Sequence, residues 1–98
     1  MIKKKIIPTE IAVLEYLSEN ESGSIHEFRQ AGGLTSDLGF LVAQRLVERF
    51  NMKKEGANVL VARYRITDRG KKVLDDYKSG IETKFEFWRS TRNEIKLS

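Results

Sequence analysis

The 98-residue sequence has no cysteine, one proline, one histidine and no long apolar run. Without cysteine there can be no disulfide, thiolate metal site or cysteine nucleophile, and an intracellular, cytoplasmic protein is the simplest expectation. A membrane-spanning helix needs about 20 apolar residues in a row, so no membrane segment is expected. The basic start, MIKKKIIPTE, has an apolar segment too short for a signal peptide.

Catalytic and metal-binding residues are equally scarce. The single histidine, His26, has neither cysteine nor a facing pair of acids at ligand spacing, so an exposed helical position is expected for it. The adjacent acids Asp75 and Asp76 point to different sides of a predicted helix. No catalytic residue, metal ligand or cofactor is assigned, and the sequence does not predict an enzyme.

The net charge of +4 is unevenly distributed along the chain. Residues 6–28 hold five acids and no lysine or arginine, whereas residues 45–72 hold nine basic residues against three acids. Such a layout suits a protein that places one face on a polyanion. The alternative interpretation is a solvated surface with uneven charge.

Two helices are predicted before residue 34. The first opens at Pro8 or Thr9 and ends within residues 20–23, because its apolar residues recur at helical spacing. Ser24 and Glu27 then form the pattern of a capping box, which begins a second helix of about two turns. A Gly-Gly pair is expected to end that helix.

A third helix is predicted from Thr35 or Ser36 to Phe50, because apolar residues cover a broad arc at about 100° per residue. Its opposite, polar face is predicted to carry Asp37, Gln44, Arg45 and Glu48.

The hydrophobic period then changes to two. The segments MKKE and VLVARYRI, separated by a turn at residues 56–58, predict a β-hairpin. In its second strand, Tyr64 lies on the core face, and Arg63 and Arg65 lie on the other face. A last helix follows in TDRGKKVLDDY, with Thr67 or Asp68 as its cap.

This order of elements, together with the phrase YRITDRGKKVL, resembles the winged helix-turn-helix of MarR-like and PadR-like regulators and of small archaeal or archaeal-virus winged-helix proteins. The order is similar over residues 9–78, and the sharp motif covers Tyr64 to Leu74. The resemblance implies an α+β winged helix-turn-helix with three helices and a β-hairpin wing.

The resemblance also implies that the third helix enters the major groove of DNA and that the wing touches the backbone or the minor groove. Gln44 and Arg45 become the candidates for base contacts, since glutamine pairs with adenine and arginine with guanine. Asp37 and Glu48 on the same face are expected to repel phosphate. The residues expected to contact the DNA backbone are Ser36, Arg49, Lys53, Lys54, Arg63 and Arg65.

Three further basic residues, Arg69, Lys71 and Lys72, either extend this footprint or cover the start of the last helix. Residues 1–8 are expected to be a basic N-terminal arm. Its run from Lys3 to Lys5 is either a solvated tail or a flexible arm that contacts nucleic acid.

Apolar residues recur every seven positions near the C-terminus, which is the pattern of a helix-helix seam. We therefore expect residues 79–98 to form an extra helix for homodimerisation, although a stripe packed back on its own domain is the alternative. The predicted interface consists of Leu74, Tyr77, Ile81, Phe85, Trp88 and Ile95.

The sequence thus predicts a transcriptional regulator that binds a pseudo-palindromic site on double-stranded DNA as a homodimer. The alternative is a winged-helix module for protein-protein interaction without specific DNA binding.

Overall fold

The computed structural model describes residues 2–54, 56 and 58–87. Within these residues the chain is α+β, with four helices and two small antiparallel sheets, which confirms the expected class. None of the described helices has the length and apolar character that a bilayer crossing requires. The elements are β1 Ile2–Lys5, α1 Pro8–Glu19, α2 Ile25–Gln30, α3 Asp37–Ala43, β2 Val47–Lys53, β3 Leu60–Ile66, α4 Asp68–Lys78 and β4 Lys84–Phe87.

The first two helices begin where the sequence predicted. Pro8 is the first residue of α1, and the Glu10 carboxylate accepts a hydrogen bond from the Ile7 amide at 2.9 Å. At α2 the capping box is present: Glu27 accepts from the Ser24 amide at 3.0 Å, and Ser24 accepts from the Glu27 amide at 3.4 Å. These carboxylates and the hydroxyl satisfy backbone donors that have no partner inside a helix.

The third helix is shorter than predicted. It ends at Ala43, and Arg45 adopts a left-handed backbone conformation with φ of 60°. The Leu46 amide donates to the Leu41 carbonyl at 2.9 Å, which is the closing bond of a Schellman motif. The expected helix through Phe50 is therefore wrong, because the chain reverses at Arg45 and enters strand β2.

Strands β2 and β3 form the predicted hairpin, although β2 begins at Val47 and is longer than expected. The register runs from Val47 opposite Ile66 to Lys53 opposite Leu60. Gly23 forms an isolated β-bridge to β3, since its amide and carbonyl both bond to Tyr64, at 2.9 and 2.8 Å. A side chain at Gly23 would overlap the rings of Phe28 and Tyr16, so glycine permits this close approach.

The core is formed by residues of all four helices, the hairpin and β4. Phe28 is at its centre, with its ring in edge contact with Tyr16 and in tilted contact with Tyr64. Such ring pairs contribute stability beyond the area they bury. The buried apolar residues are Ile11, Val13, Leu14, Leu17, Phe28, Leu38, Phe40, Leu41, Leu46, Val47, Tyr64, Val73, Leu74 and Phe85.

The chain after α4 differs from the prediction. Residues 79–83 are not helical, Gly80 has φ of 80°, and β4 pairs antiparallel with β1 from Ile2 opposite Phe87 to Lys5 opposite Lys84. The predicted C-terminal helix is therefore wrong over residues 79–87, and residues 2–5 form a strand rather than a free arm. Phe85 is buried and packs edge-on against Phe40, with ring centroids 5.5 Å apart.

This arrangement also changes the expected dimer seam. Leu74 and Phe85 are buried within their own chain, and Tyr77 and Ile81 are exposed without sharing a helix face. A seven-residue seam requires one continuous helix, which the turn at Gly80 interrupts. Trp88 and Ile95 lie outside the described residues.

Candidate nucleic-acid interface

Three of the residues expected to contact the DNA backbone surround one groove on the hairpin. Lys53 is the last residue of β2, Lys54 follows it, and Arg63 comes from β3. The groove has a volume of about 490 Å³. Ser24, Met52, Val61 and Ala62 complete its lining, so the floor is mostly apolar and the charged groups are cations. Neither lysine makes an ion pair with another described residue. Among the described residues, the groove therefore offers two lysine charges that have no ion-pair partner.

Arg63 connects the hairpin to α2 and to the connection that precedes it. Its Nη2 atom lies 3.3 Å from the Glu27 carboxylate, and its Nε atom donates to the Ser22 hydroxyl at 2.9 Å. Glu27 also accepts a hydrogen bond from the Tyr16 hydroxyl, which lowers the pKa of Glu27 and raises that of Tyr16. Arg63 thus has a structural role in addition to lining the groove, and Glu27 offsets part of its charge.

Arg65 is also paired within the chain. Its Nε and Nη2 atoms donate to the two Glu48 oxygens at 3.1 and 3.3 Å, and its guanidinium lies 4.8 Å from the centre of the Phe50 ring. The hydrogen bonds from Arg65 lower the pKa of Glu48. Both members of this pair are about half exposed. Glu48 was expected on the third helix, but it lies on β2 opposite Arg65, where it offsets this arginine.

Arg45 and Arg49 line a second groove, of about 410 Å³, at the corner between α3 and β2. Val42, Val47, Glu48 and Thr67 are its other lining residues. Gln44 and Arg45 were expected to project from the polar face of a long helix. This position is wrong, because Gln44 is the C-terminal cap of α3 and Arg45 belongs to the reversal that follows it.

The exposed face of α3 carries no charge. Ser36 precedes the helix and is exposed, as are Gly39, Val42 and Ala43. Asp37 was expected to face outward, but it is 5% exposed and accepts a hydrogen bond from the Leu34 amide at 2.9 Å. Of the two acids expected to repel phosphate, Asp37 is thus buried and bonded to a backbone amide. The other, Glu48, is paired with Arg65.

The start of α4 holds the α3–β2 corner in place. The Thr67 hydroxyl donates to the Arg45 carbonyl at 2.6 Å and accepts from the Gly70 amide at 3.0 Å. The Arg69 Nε atom donates to the Gln44 carbonyl at 2.9 Å. Arg69 therefore supports the corner, whereas Lys71 and Lys72 are exposed on α4. The sequence predicts Thr67 or Asp68 as the helix cap and carries no signal for the bond from Thr67 to the Arg45 carbonyl.

Two of the N-terminal lysines, Lys4 and Lys5, are paired with acids of their own chain. Lys4 pairs with the buried carboxylate of Glu10 at 3.0 Å, and its ammonium lies 4.6 Å from the centre of the Phe40 ring. Lys5 makes a looser, exposed pair with Glu82 at 3.3 Å. Neither the solvated tail nor the flexible arm describes these two residues. His26 is exposed, as expected, and its Nε2 atom lies 3.2 Å from that of Gln30.

The backbone at Arg45 leads to a first prediction. An L-residue in the left-handed region costs about 1–2 kcal/mol, and glycine avoids this cost at the expense of a more flexible unfolded chain. We expect Arg45→Gly to raise the free energy of unfolding by about 0.5–1 kcal/mol in urea titration. The control is Arg49→Gly within β2, which is expected to lower it by a similar amount. A loss of stability in both variants would contradict the prediction.

Comparison of the chain with protein-family models, with curated protein sequences and with solved structures finds no match.

Proposed function

We propose that this protein is a double-stranded DNA-binding transcriptional regulator with a winged helix-turn-helix fold. The observation that carries the proposal is the groove on the hairpin, which Lys53, Lys54 and Arg63 line together with apolar residues. Duplex DNA presents closely spaced phosphates, and lysine and arginine contacts to them supply most sequence-independent affinity. Arg45 and Arg49, which line the second groove at the α3–β2 corner, are two further cations for phosphate contacts.

The order of elements supports the proposed fold. Helices α2 and α3 follow each other after α1, and the hairpin comes next, with Gly23 bridged to Tyr64 of β3. In this interpretation α2 and α3 form the helix-turn-helix and the hairpin is the wing. The exposed, uncharged face of α3 can approach the bases without repelling phosphate, because Asp37 is turned inward.

Base contacts by Gln44 and Arg45 and a phosphate contact by Ser36 remain predictions. Arg49, Lys53 and Lys54 are the favoured backbone contacts, because these cations make no ion pair with other described residues. Arg63 and Arg65 are weaker candidates, since Glu27 and Glu48 offset their charges. Homodimerisation on a twofold-symmetric site also remains a prediction, with Tyr77 and Ile81 as the exposed members of the expected interface.

The proposal predicts the behaviour of a double variant, Lys53→Ala with Lys54→Ala. Each lost phosphate contact lowers the slope of log affinity against log salt by about 0.9. We expect a slope smaller by about 1.8 and roughly 50-fold weaker binding near 0.1 M salt. Fluorescence anisotropy with a labelled duplex, between about 50 and 200 mM salt, measures both quantities.

The matched control is Lys78→Ala with Lys84→Ala, which removes the same charge from exposed positions outside the hairpin. This control is expected to change the slope little. Equal effects of the two double variants would show that net charge, and not the groove, determines binding.

A second candidate function is docking on another protein. It is favoured by the exposed apolar side chains Leu34 and Val42, which lie before and within α3. Binding driven by such side chains depends weakly on salt. If no duplex shows steep salt-dependent affinity, this second function replaces DNA binding.

A further inference from the structure

One face of α1 is left open between the end of α2 and α4. Six residues of α1 recur three or four positions apart and therefore share this face: Pro8, Ile11, Ala12, Glu15, Tyr16 and Glu19. Ala31, the C-terminal cap of α2, lines the same groove, as does Tyr77 of α4. This α1 groove has a volume of about 470 Å³. It follows the whole helix, whose 12 residues are about 18 Å long.

Apolar and aromatic side chains form most of the α1 groove. The Tyr16 ring is fixed there, because its hydroxyl donates to Glu27 and the ring is in edge contact with Phe28. Tyr77 is 40% exposed, and it also lines a neighbouring hollow of about 250 Å³ together with Ile81, which is 57% exposed. The α1 groove thus continues at Tyr77 into a further exposed apolar surface. Contiguous surface of this kind is typical of binding sites.

The α1 groove also carries negative charge. Among the described residues, Glu15 and Glu19 are the charged side chains that line it, and neither has an ion-pair partner. Glu19 is the last residue of α1, and Glu15 lies about one turn before it. Acids are unfavourable at this end of a helix, because the helix dipole is negative there, and the last turn of α1 has no basic residue. A cationic partner would compensate both carboxylates and the dipole.

The charge of the α1 groove decides which kind of partner fits. The phosphates of nucleic acids and of anionic lipids are repelled by Glu15 and Glu19. Cationic groups with apolar groups beside them complement both parts of the groove, and lysine and arginine also bind favourably over tyrosine rings. The groove extends along about 18 Å of helix, which is more than one side chain or a small cation covers. The partner is therefore a protein segment with apolar and basic side chains.

A helix is the form of segment that matches the shape of the α1 groove. Helices pack side by side at about 8–10 Å, and about three turns of a second helix span the length of α1. Docking of an amphipathic helix in a groove is a common mode of peptide recognition. A second copy of the chain offers no such helix among the described residues. Their helical lysines are all on α4, where the apolar side chains of Val73 and Leu74 are buried in the core.

We propose that the α1 groove binds a basic amphipathic helix of another protein. The lysine or arginine side chains of that helix pair with Glu15 and Glu19, and its apolar side chains lie against Ala12 and Tyr77. The inference goes beyond the proposed function, because it concerns a site that repels DNA phosphates. In a DNA-bound regulator, the α1 groove connects the chain to a second protein.

Binding of designed peptides to the full chain tests the proposal. Three fluorescent peptides of about 15 residues, long enough to be helical, share one row of leucines. The first has arginines beside the row, the second has glutamates there, and the third has the residues of the first in scrambled order. We expect the first peptide to bind and the other two to bind at least roughly tenfold more weakly in fluorescence anisotropy, because they lack the matching charge or the apolar row.

Charge variants separate the α1 groove from the overall charge of the chain. Glu15→Gln with Glu19→Gln is expected to weaken binding of the arginine peptide roughly tenfold, because two partly exposed ion pairs are lost. The matched control, Glu21→Gln with Asp75→Asn, removes the same charge from exposed residues that do not line the groove. This control is expected to change binding less than about twofold.

Two further variants report on the fit of the partner. Glu15→Arg with Glu19→Arg should reverse the preference, so that the glutamate peptide binds better than the arginine peptide. Arginine suits the C-terminal end of a helix, so this variant is expected to fold, and circular dichroism verifies it. Tyr77→Ala should weaken binding roughly tenfold through lost apolar contact, whereas Tyr77→Phe keeps the ring and should keep the affinity.

Three results would overturn the proposal: no binding of the arginine peptide, equal binding of its scrambled form, or equal losses in the glutamine variant and its control. Amide chemical shifts of the protein locate the bound peptide, and changes confined to the hairpin would also overturn it. All of these outcomes leave the proposed function standing, because DNA affinity is measured separately with the Lys53 and Lys54 variants.

Discussion

Replacing Gly70 with alanine is expected to lower the free energy of unfolding by about 3 kcal/mol, because the new methyl group has no space. A Cβ atom at this position would overlap the Leu46 carbonyl oxygen and would lie 2.8 Å from the Cγ1 atom of Ile66. The carbonyl cannot turn away freely, since it accepts a hydrogen bond from the Thr67 amide at 3.1 Å. The new Cβ atom would thus clash with backbone of the α3–β2 corner, at the point where α4 crosses it.

Gly39 supplies the matched control. It is also in a helix, but a Cβ atom there would have no neighbour within 4 Å. Alanine has the higher helix propensity, so Gly39→Ala is expected to raise the free energy of unfolding by about 0.5–1 kcal/mol. Urea titration of both variants checks the opposite signs. A Gly70→Ala variant as stable as the unaltered protein would show that α4 shifts easily away from the corner.

The elements that could be predicted from sequence are those with local signals. The start of α1 at Pro8, the capping box of Ser24 and Glu27, and the Thr67 cap of α4 each depend on residues within a few positions. Local hydrogen bonds of this kind form wherever the helix forms, so the predicted helix starts do not depend on the rest of the fold.

The end of α3 could not be predicted, because the apolar run suits both a helix that continues to Phe50 and a helix followed by a strand. Leu46 and Val47 continue the helical arc of the sequence, and both are buried as that arc required. Their burial comes from a reversal at Arg45 and from pairing of β2 with β3. Glycine usually occupies such a left-handed position, and the arginine there removes the usual signal.

The ion pairs of the candidate interface were missed for the same reason. With Glu48 assigned to a helix, its partnership with Arg65 could not be expected, because cross-strand neighbours depend on register. The bond between Arg63 and Ser22 joins residues 41 positions apart. The arginine charges could be counted from the sequence, but whether they are compensated could not.

Of the apolar residues near the C-terminus, which were interpreted as a helix-helix seam, Leu74 and Phe85 are buried for a different reason. Phe85 belongs to that seam by spacing, yet its partner is Phe40, and the segment around it is a strand paired with β1. Burial within the same domain was the alternative to a dimer seam, and for Phe85 that alternative holds. Pairing between strands that are distant in sequence cannot be predicted from the spacing of apolar residues within one of them.

The N-terminal strand leads to the second large effect, in the variant Lys4→Met. Glu10 is 2% exposed, and its carboxylate has Lys4 and the Ile7 amide as partners. Removing the lysine leaves a buried negative charge without a counter-ion. Loss of one partner from a buried pair costs about 3–5 kcal/mol. We expect about 3 kcal/mol, the lower end, because the Lys4 side chain is 24% exposed.

Two further variants test this assignment by urea titration. Lys5→Met breaks an exposed pair with Glu82 and is expected to cost less than about 1 kcal/mol. Adding Glu10→Gln to Lys4→Met removes the uncompensated charge and is expected to recover part of the lost stability. Equal losses for the Lys4 and Lys5 variants would mean that the Glu10 pair is solvated. In that case β1 would depend on its pairing with β4 and on the packing of Phe85 against Phe40 for its position.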